Sequence, residues 1–235
     1  MHLFFVKNIV SDFFNLDIEQ SKHCKVLRLK AGDIVYLTEG KGSMFKASIV
    51  DDNYMAVGVK ILETFHEYNK RPFHLHIAIA PTKSPDRFEW FVEKATEIGV
   101  DEITPLLCER SEKTHVKVER LQKIAESAMK QSVSAYLPKI NEAISFDKLI
   151  SSNESLQKFI AYCNDQDRLF LQSQCIPEKS VLILIGPEGD FTENEIGLSQ
   201  KNNFIPISLG NSRLRTETAG VVACTIINMI NSQKT

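Results

Sequence analysis

The chain has 235 residues, 28 Lys and Arg against 30 Asp and Glu, and 43% hydrophobic residues. That length suits one or two domains at roughly 150 residues each; its apolar content argues against disorder, and 10 Gly, 8 Pro and no dominant repeat exclude a collagen-like or coiled-coil chain. No apolar run reaches about 18 residues, and the N-terminus lacks the basic region and apolar run of a secretory signal.

The five cysteines (Cys24, Cys108, Cys163, Cys175, Cys224) are scattered and never form a CxxC pair. The expectation is a cytoplasmic protein with reduced thiols, without a membrane span or a zinc site. A net charge of −2 gives no global attraction to nucleic acid. Any RNA contact must then come from local basic patches.

The first 70 residues read as short strands. Val26–Leu29, Asp33–Thr38, Phe45–Val50 and Met55–Leu62 are β-rich runs. Lys30-Ala31-Gly32-Asp33, Glu39-Gly40-Lys41-Gly42 and Asp51-Asp52-Asn53 supply the turns between them. This spacing predicts a small β-barrel over 1–70. The polar stretch Phe65–Arg71, ending before Pro72, is the expected linker to a second domain over 71–235.

From Pro72 onward, strands alternate with helices, which predicts a largely parallel sheet and an α/β domain. His74–Ala80 is a strand. A helix opens at Ser84-Pro85, with Phe88, Phe91, Val92, Ala95 and Ile98 as its apolar stripe and Gly99 as its C-cap. Ile103–Leu107 is the next strand. Residues 117–134 form a second helix, with Leu121, Ile124, Ala125, Ala128 and Met129 inward. Phe159–Tyr162, Val181–Ile185 and Phe204–Leu209 are further strands. The closing helix, Glu217–Asn231, is apolar almost all round, so it must be buried against the sheet, another helix or a second subunit. Cys224 lies inside this helix and reads as structural. His74 and His76 alternate on a strand, with no further ligand at metal spacing.

Two loops carry the chemical signals. Val181–Ile185 runs into Gly186-Pro187-Glu188-Gly189-Asp190, and Thr192 with Glu195 then forms a capping box. The second loop, Leu209-Gly210-Asn211-Ser212-Arg213-Leu214-Arg215-Thr216-Glu217-Thr218-Ala219-Gly220, also joins a strand to a helix. Open α/β sheets bind ligands beyond the carboxyl ends of their strands. Neither loop is a P-loop or a GxGxxG turn. Glu188 and Asp190 disfavour a phosphate, so a neutral or cationic ligand fits better. In an extended segment Arg213, Arg215 and Glu217 point the same way, either as a convergent site or as a surface salt bridge.

At these residues the sequence resembles the SPOUT superfamily, and within it the 16S ribosomal RNA uridine-N3 methyltransferases, the small-subunit methyltransferase E family. The matching segments are Arg87 through Val100, Glu109-Arg110-Ser111, Ile185 through Gly189, and Leu209-Gly210 with Leu214 through Ala219. His23, Val26-Leu27-Arg28 and Gly32-Asp33 resemble that family's PUA-like barrel. The resemblance spans nearly the whole chain. It implies a PUA-like β-barrel followed by a parallel-sheet methyltransferase domain with a C-terminal trefoil knot. It also implies a homodimer, S-adenosylmethionine as cofactor, and methylation of N3 of one uridine near the decoding centre of the small ribosomal subunit. By motif match, Gly186, Pro187, Glu188, Gly189, Leu209, Gly210, Leu214, Thr216 and Ala219 line the cofactor pocket, with the strand end Ala161-Tyr162 beside them. Two departures stand out: Asp190 where many relatives have glycine, and no arginine after Gln131-Ser132.

Uridine N3 carries a proton, so methylation needs that proton removed and the charge on the ring held. Arg215 and Arg213 suit the electrostatic role. Glu217 is either a general base or an orienter of the arginines. Lys22, Lys25, Arg28 and Lys30 concentrate positive charge in nine residues, and Lys83, Arg87 and Arg110 sit near strand ends; both sets are expected to contact rRNA phosphates. Two alternatives stay open: a non-catalytic RNA-binding or ribosome-assembly protein on this fold, or methylation of another RNA atom such as a ribose 2′-hydroxyl.

Overall fold

The computed structural model describes residues 1–152, 157–162 and 169–232; Cys163 lies outside them. The chain divides into two compact units. The first is Met1–Lys70 with Met129–Leu137, and the second is Arg71–Ala128 with Pro138 onward.

The first unit begins with β1 (Leu3–Phe5), β2 (Phe13–Asn15) and α1 (Ile18–Val26). The strands β3 (Ile34–Thr38), β4 (Met44–Asp51) and β5 (Gly58–Phe65) follow. Their order is β1-β3-β4-β5-β2, with β1 parallel to β3 and the other pairs antiparallel. Phe4, Leu16, Val35, Leu37, Ile49 and Val59 form the core, and Cys24 of α1 packs into it.

The expected strand Val26–Leu29 is corrected: α1 ends at Val26, and Arg28 turns the chain at φ 57. Helix α1 has no apolar stripe, so periodicity does not reveal it. Its sequence signal is the N-cap Asp17, whose Oδ1 accepts the Gln20 N–H at 2.8 Å. The Glu39–Gly42 turn does more than reverse the chain. Gly42 N–H donates to Ala135 O, and Leu137 N–H to Gly40 O, both at 2.9 Å. A Cβ on Gly40 would lie 2.7 Å from Leu137 Cβ. The segment after the second long helix is therefore seated on this turn.

In the second unit, β6 (Leu75–Ile79), α2 (Pro85–Ile98), β7 (Glu102–Leu107) and α3 (Val118–Gln131) come first, with the end of α3 grouped in the first unit. The short elements β8 (Lys139–Ile140), β9 (Ile144–Ser145) and α4 (Phe146–Ser152) lead to β10 (Gln157–Ala161) and α5 (Leu171–Gln174). Then come β11 (Val181–Ile185), α6 (Glu193–Lys201), β12 (Ile205–Ile207) and α7 (Thr216–Ser232). The sheet is parallel, in the order β12-β10-β11-β6-β7-β8, with β9 also on β7. All residues of β6 and β11 are buried, as expected of central parallel strands covered on both faces.

Helix α2 buries Phe88, Phe91, Val92, Ala95 and Thr96. Thr96 thus replaces the expected Ile98, and it returns its hydroxyl to Val92 O at 2.7 Å. Gly99 caps the helix at φ 115. Helix α3 stops at Gln131, earlier than expected, because Val133 adopts φ 57. Helix α7 buries Gly220, Ala223, Cys224 and Ile227. Gly220 is required by close approach: a Cβ there would meet the Phe91 ring at 2.5 Å. Burial pushes the Cys224 thiol up, consistent with a structural cysteine.

Candidate active site

Parallel register places the site. Ile79 pairs with Ile185, Ile185 with Ala161, and Ala161 with Ile207. Four strands therefore end level, and the segments after β10, β11 and β12 emerge side by side. They enclose a cavity of about 310 Å³, at the small end of ligand-site volumes. Its walls are Gly186, Pro187 and Glu188 from the first glycine loop, and Leu209, Gly210 and Leu214 from the second. Thr216 and Ala219 of α7 and the strand end Ala161-Tyr162 complete the set taken from the sequence, and Arg213 and Arg215 also line it.

Two expected site residues fall outside. Gly189 does not line the cavity; its carbonyl accepts Arg110 Nη1 at 2.9 Å. Glu217 does not line it either. It is buried in the first turn of α7, 7% exposed, with Oε1 at 3.8 Å from Arg87 Nε. Its ion-pair partner thus comes from α2, not from the loop arginines. Sequence reasoning missed Ile185, Asp190, Ile207, Ser208 and Ser212 as lining residues. Asp190 was legible as a departure, and it holds φ 62, a conformation Asp tolerates better than most residues. Its N–H closes a turn onto Pro187 O at 2.9 Å.

The first loop is braced from three sides. Glu188 Oε1 accepts the Lys83 N–H at 3.0 Å. Arg110 holds Gly189. Glu195, buried in the capping box of α6, accepts the Glu109 N–H at 2.9 Å. Gly186 is confined by the Phe191 ring, which a Cβ would meet at 3.0 Å. The two loops are joined by Thr216, whose hydroxyl donates to Gly186 O at 3.0 Å. Arg213 and Arg215 are exposed, and neither has a carboxylate partner among the described residues.

Other expected RNA contacts are placed individually. Lys22 and Lys25 are exposed on α1, and Arg28 and Lys30 are exposed in the turn after it. Lys83 is exposed and pairs with Glu112 at 2.9 Å. Arg87 is partly committed to Glu217, and Arg110 to the first loop. His76 is buried, with Nε2 at 2.7 Å from Thr104 Oγ1, and is far along β6 from the loops. Among the described residues, no group of three His, Cys, Asp or Glu is placed to hold a metal, and no helix is long and apolar enough to cross a membrane.

A family model described as an RNA methyltransferase domain matches residues 69–228, and one described as an RNA methyltransferase PUA domain matches 16–55. Ribosomal RNA small subunit methyltransferase E of Synechocystis is 33% identical over 88% of this chain and 69% of its own. The chain belongs to the ribosomal RNA small subunit methyltransferase E family. A crystal structure described as a probable rRNA-methyltransferase from Porphyromonas gingivalis superposes on this member with a TM-score of 0.91, at 40% identity over 99% of both chains. A Legionella pneumophila methyltransferase structure superposes at 0.85, with 26% identity over 98% of this chain and 97% of that one. That protein was solved in complex with the bound cofactor S-adenosylmethionine. The family's fold, a parallel-sheet methyltransferase domain of SPOUT type after a PUA-like domain, is the fold described above.

Proposed function

We propose that this chain is an S-adenosylmethionine-dependent methyltransferase acting on N3 of one uridine in 16S rRNA, near the decoding centre of the small subunit. The observation that carries the reading is the cavity between two cross-tied glycine loops, lined by Arg213 and Arg215, neither of which has a carboxylate partner among the described residues. Its lining fits the cofactor. Ile185, Ile207, Leu209 and Leu214 offer apolar walls for an adenine ring, and backbone groups of the glycine loops can approach its polar edges. Glu188 and Asp190 on the wall suit a cationic ligand.

When bound, S-adenosylmethionine supplies an electrophilic methyl group on its sulfonium. The chain's own residues must do the rest. As the N3 proton passes to solvent water, negative charge spreads over O2 and O4 of the uracil. Arg215 and Arg213 would hold it, because a guanidinium stays charged and donates two parallel hydrogen bonds. The buried Glu217 favours orienting over base catalysis, since its carboxylate faces Arg87 and not the cavity. The basic residues Lys22, Lys25, Arg28 and Lys30 on one unit, and Lys83, Arg87 and Arg110 on the other, would supply phosphate contacts.

The same reading includes a homodimer and a C-terminal knot. For the dimer, the support is the outward side of α7, where Met229 is 60% exposed beside half-buried Val222 and Ile226. Such an apolar strip is unusual on a monomer. Light scattering should give about twice 26.6 kDa.

Nucleoside mass spectrometry of rRNA from a deletion strain tests the function. Loss of 3-methyluridine, restored by the intact gene, is expected. Unchanged 3-methyluridine, with loss of a ribose methyl or of nothing, would reject the uridine-N3 assignment.

A further inference from the structure

Every side chain of the Glu109-Arg110-Ser111 segment that follows β7 is engaged. The Ser111 hydroxyl accepts the Cys108 N–H at 3.0 Å, and the Ser111 N–H closes a turn onto Cys108 O at 3.0 Å. The Glu109 carboxylate accepts the Thr192 hydroxyl at 3.0 Å. Arg110 Nη1 donates to Gly189 O at 2.9 Å and reaches Phe191 O at 3.4 Å. Two of the three side chains thus grip the stretch between the first glycine loop and α6.

The segment has its own anchor in Glu195. A capping-box glutamate needs one oxygen for the N-cap N–H, and Oε2 serves the Thr192 N–H at 2.8 Å. Oε1 accepts the Glu109 N–H, 86 positions away in sequence, at 2.9 Å. Glu195 is 6% exposed, so water cannot readily take over that bond.

The consequence lies in the residues that Arg110 spans. Between its two carbonyl partners stands Asp190 at φ 62, a sparsely populated conformation that persists only where its surroundings hold it. The Gly189 carbonyl belongs to the same peptide as the Asp190 N–H, which closes the turn on Pro187 O at 2.9 Å. The ring of Phe191 confines Gly186. Gly186, Pro187, Glu188 and Asp190 all line the cavity, while Gly189, Phe191 and Arg110 do not. A charged donor outside the cavity therefore braces four of its lining residues.

We propose that Arg110 is a positioning residue for S-adenosylmethionine: with its turn anchored on Glu195, it holds the first glycine loop in the shape that takes the cofactor. This role acts before any RNA is present, and it rests on the methyl-transfer reading above. A phosphate contact alone would leave cofactor affinity in the absence of RNA untouched.

The test uses the full chain without RNA. Wild type, Arg110→Ala, Arg110→Lys, Glu195→Ala and the double variant Arg110→Ala with Glu195→Ala are compared. Calorimetry well below the melting temperature gives S-adenosylmethionine affinity and stoichiometry, and melting temperatures are measured in parallel. Arg110→Ala should weaken affinity about 10-fold, the low end for a lost hydrogen bond from a charged group, with stoichiometry and melting temperature near wild type. Arg110→Lys keeps a charged donor and should recover part of the loss. Glu195→Ala should lower affinity and melting temperature together, since it also removes a helix cap. The double variant should bind no more weakly than Glu195→Ala, because its second loss lies on a path already broken. Wild-type affinity in Arg110→Ala overturns the proposal and leaves Arg110 to the rRNA. Losses that multiply in the double variant overturn it too, since the two residues then act separately. A lower melting temperature and stoichiometry in Arg110→Ala at unchanged affinity would make Arg110 structural and also overturn it. Wild type that binds no S-adenosylmethionine would instead overturn the reading beneath the proposal.

Discussion

The Thr216 hydroxyl and the Gly186 carbonyl, 30 positions apart in sequence, are joined by a 3.0 Å hydrogen bond that ties the second glycine loop to the first. Thr216 is 5% exposed, so water cannot readily replace the lost donor. Thr216→Val should cost about 1–3 kcal/mol, the penalty of an unsatisfied buried acceptor, and weaken S-adenosylmethionine binding. Thr216→Ser should restore both. Urea denaturation and calorimetry on the three proteins check this, and equal cofactor affinity in all of them would remove the tie from the site.

Gly186 is held for a different reason than a turn angle. The Phe191 ring occupies the space a side chain would need. Gly186→Val should therefore displace the ring or the loop and abolish cofactor binding. The core of the first unit contains neither residue, so its strands should remain folded. Calorimetry for the cofactor and hydrogen exchange across Ile34–Thr38 separate these effects. Unchanged affinity would show that the loop adapts.

The site was legible in the sequence because its parts are local. Gly186–Asp190 and Leu209–Ala219 each carry their own turn chemistry beside an apolar strand. The register that sets the two loops side by side is not local, and neither is the Arg87–Glu217 pair, which joins residues 130 positions apart through the packing of α7 on α2. The alternation of strands and helices after Pro72 likewise announced a parallel sheet. Helix α1 was hidden because its residues Ile18–Val26 form no stripe, and β8 and β9 because two residues show no period. Nothing in Glu39–Gly42 signals that Tyr136 and Leu137 pack on it, since that contact is made between segments far apart in sequence.

Stability should fall in mild acid because of His76. Burial lowers its imidazole to about 4, against about 6.5 in an unfolded chain. Between those values the unfolded chain takes up a proton that the folded chain refuses. Stability is thus full above pH 6.5, declines as pH drops toward 4, and stops changing from this cause below it. The full effect is roughly 3 kcal/mol. His76→Gln can still reach Thr104 and should flatten the slope. Urea midpoints at pH 7.5 and 5.0 check it; parallel slopes in the two proteins would assign the acid sensitivity elsewhere.

Lys25 and Arg28 test the RNA contacts of the first unit. Both are exposed, and Arg28 stands at a left-handed turn that places it just beyond α1. Lys25→Glu with Arg28→Glu should weaken binding to the small subunit, flatten its salt dependence and leave cofactor affinity unchanged. Binding measured from 50 to 200 mM salt decides. An unmoved slope would leave this cluster as a solvated face.

Arg215 is the sharpest test of the chemistry. Arg215 lines the cavity, lies one residue before the Thr216 tie, and has no carboxylate partner among the described residues. A structural anchor would be expected to hold such a partner, and Glu217 instead pairs with Arg87. If Arg215 holds charge developing on the uracil, Arg215→Ala should lower the single-turnover rate about 10²- to 10³-fold, the usual cost of one lost donor to a charged transition state. Cofactor affinity and melting temperature should stay near wild type. Arg215→Lys keeps the charge but loses the planar fork, so it should recover little of the rate. The three measurements belong on one preparation of each variant. Loss of cofactor affinity and melting temperature together would make Arg215 a support of the loop. A wild-type rate in Arg215→Ala would falsify any part for it in catalysis and leave Arg213 as the charge the reaction uses.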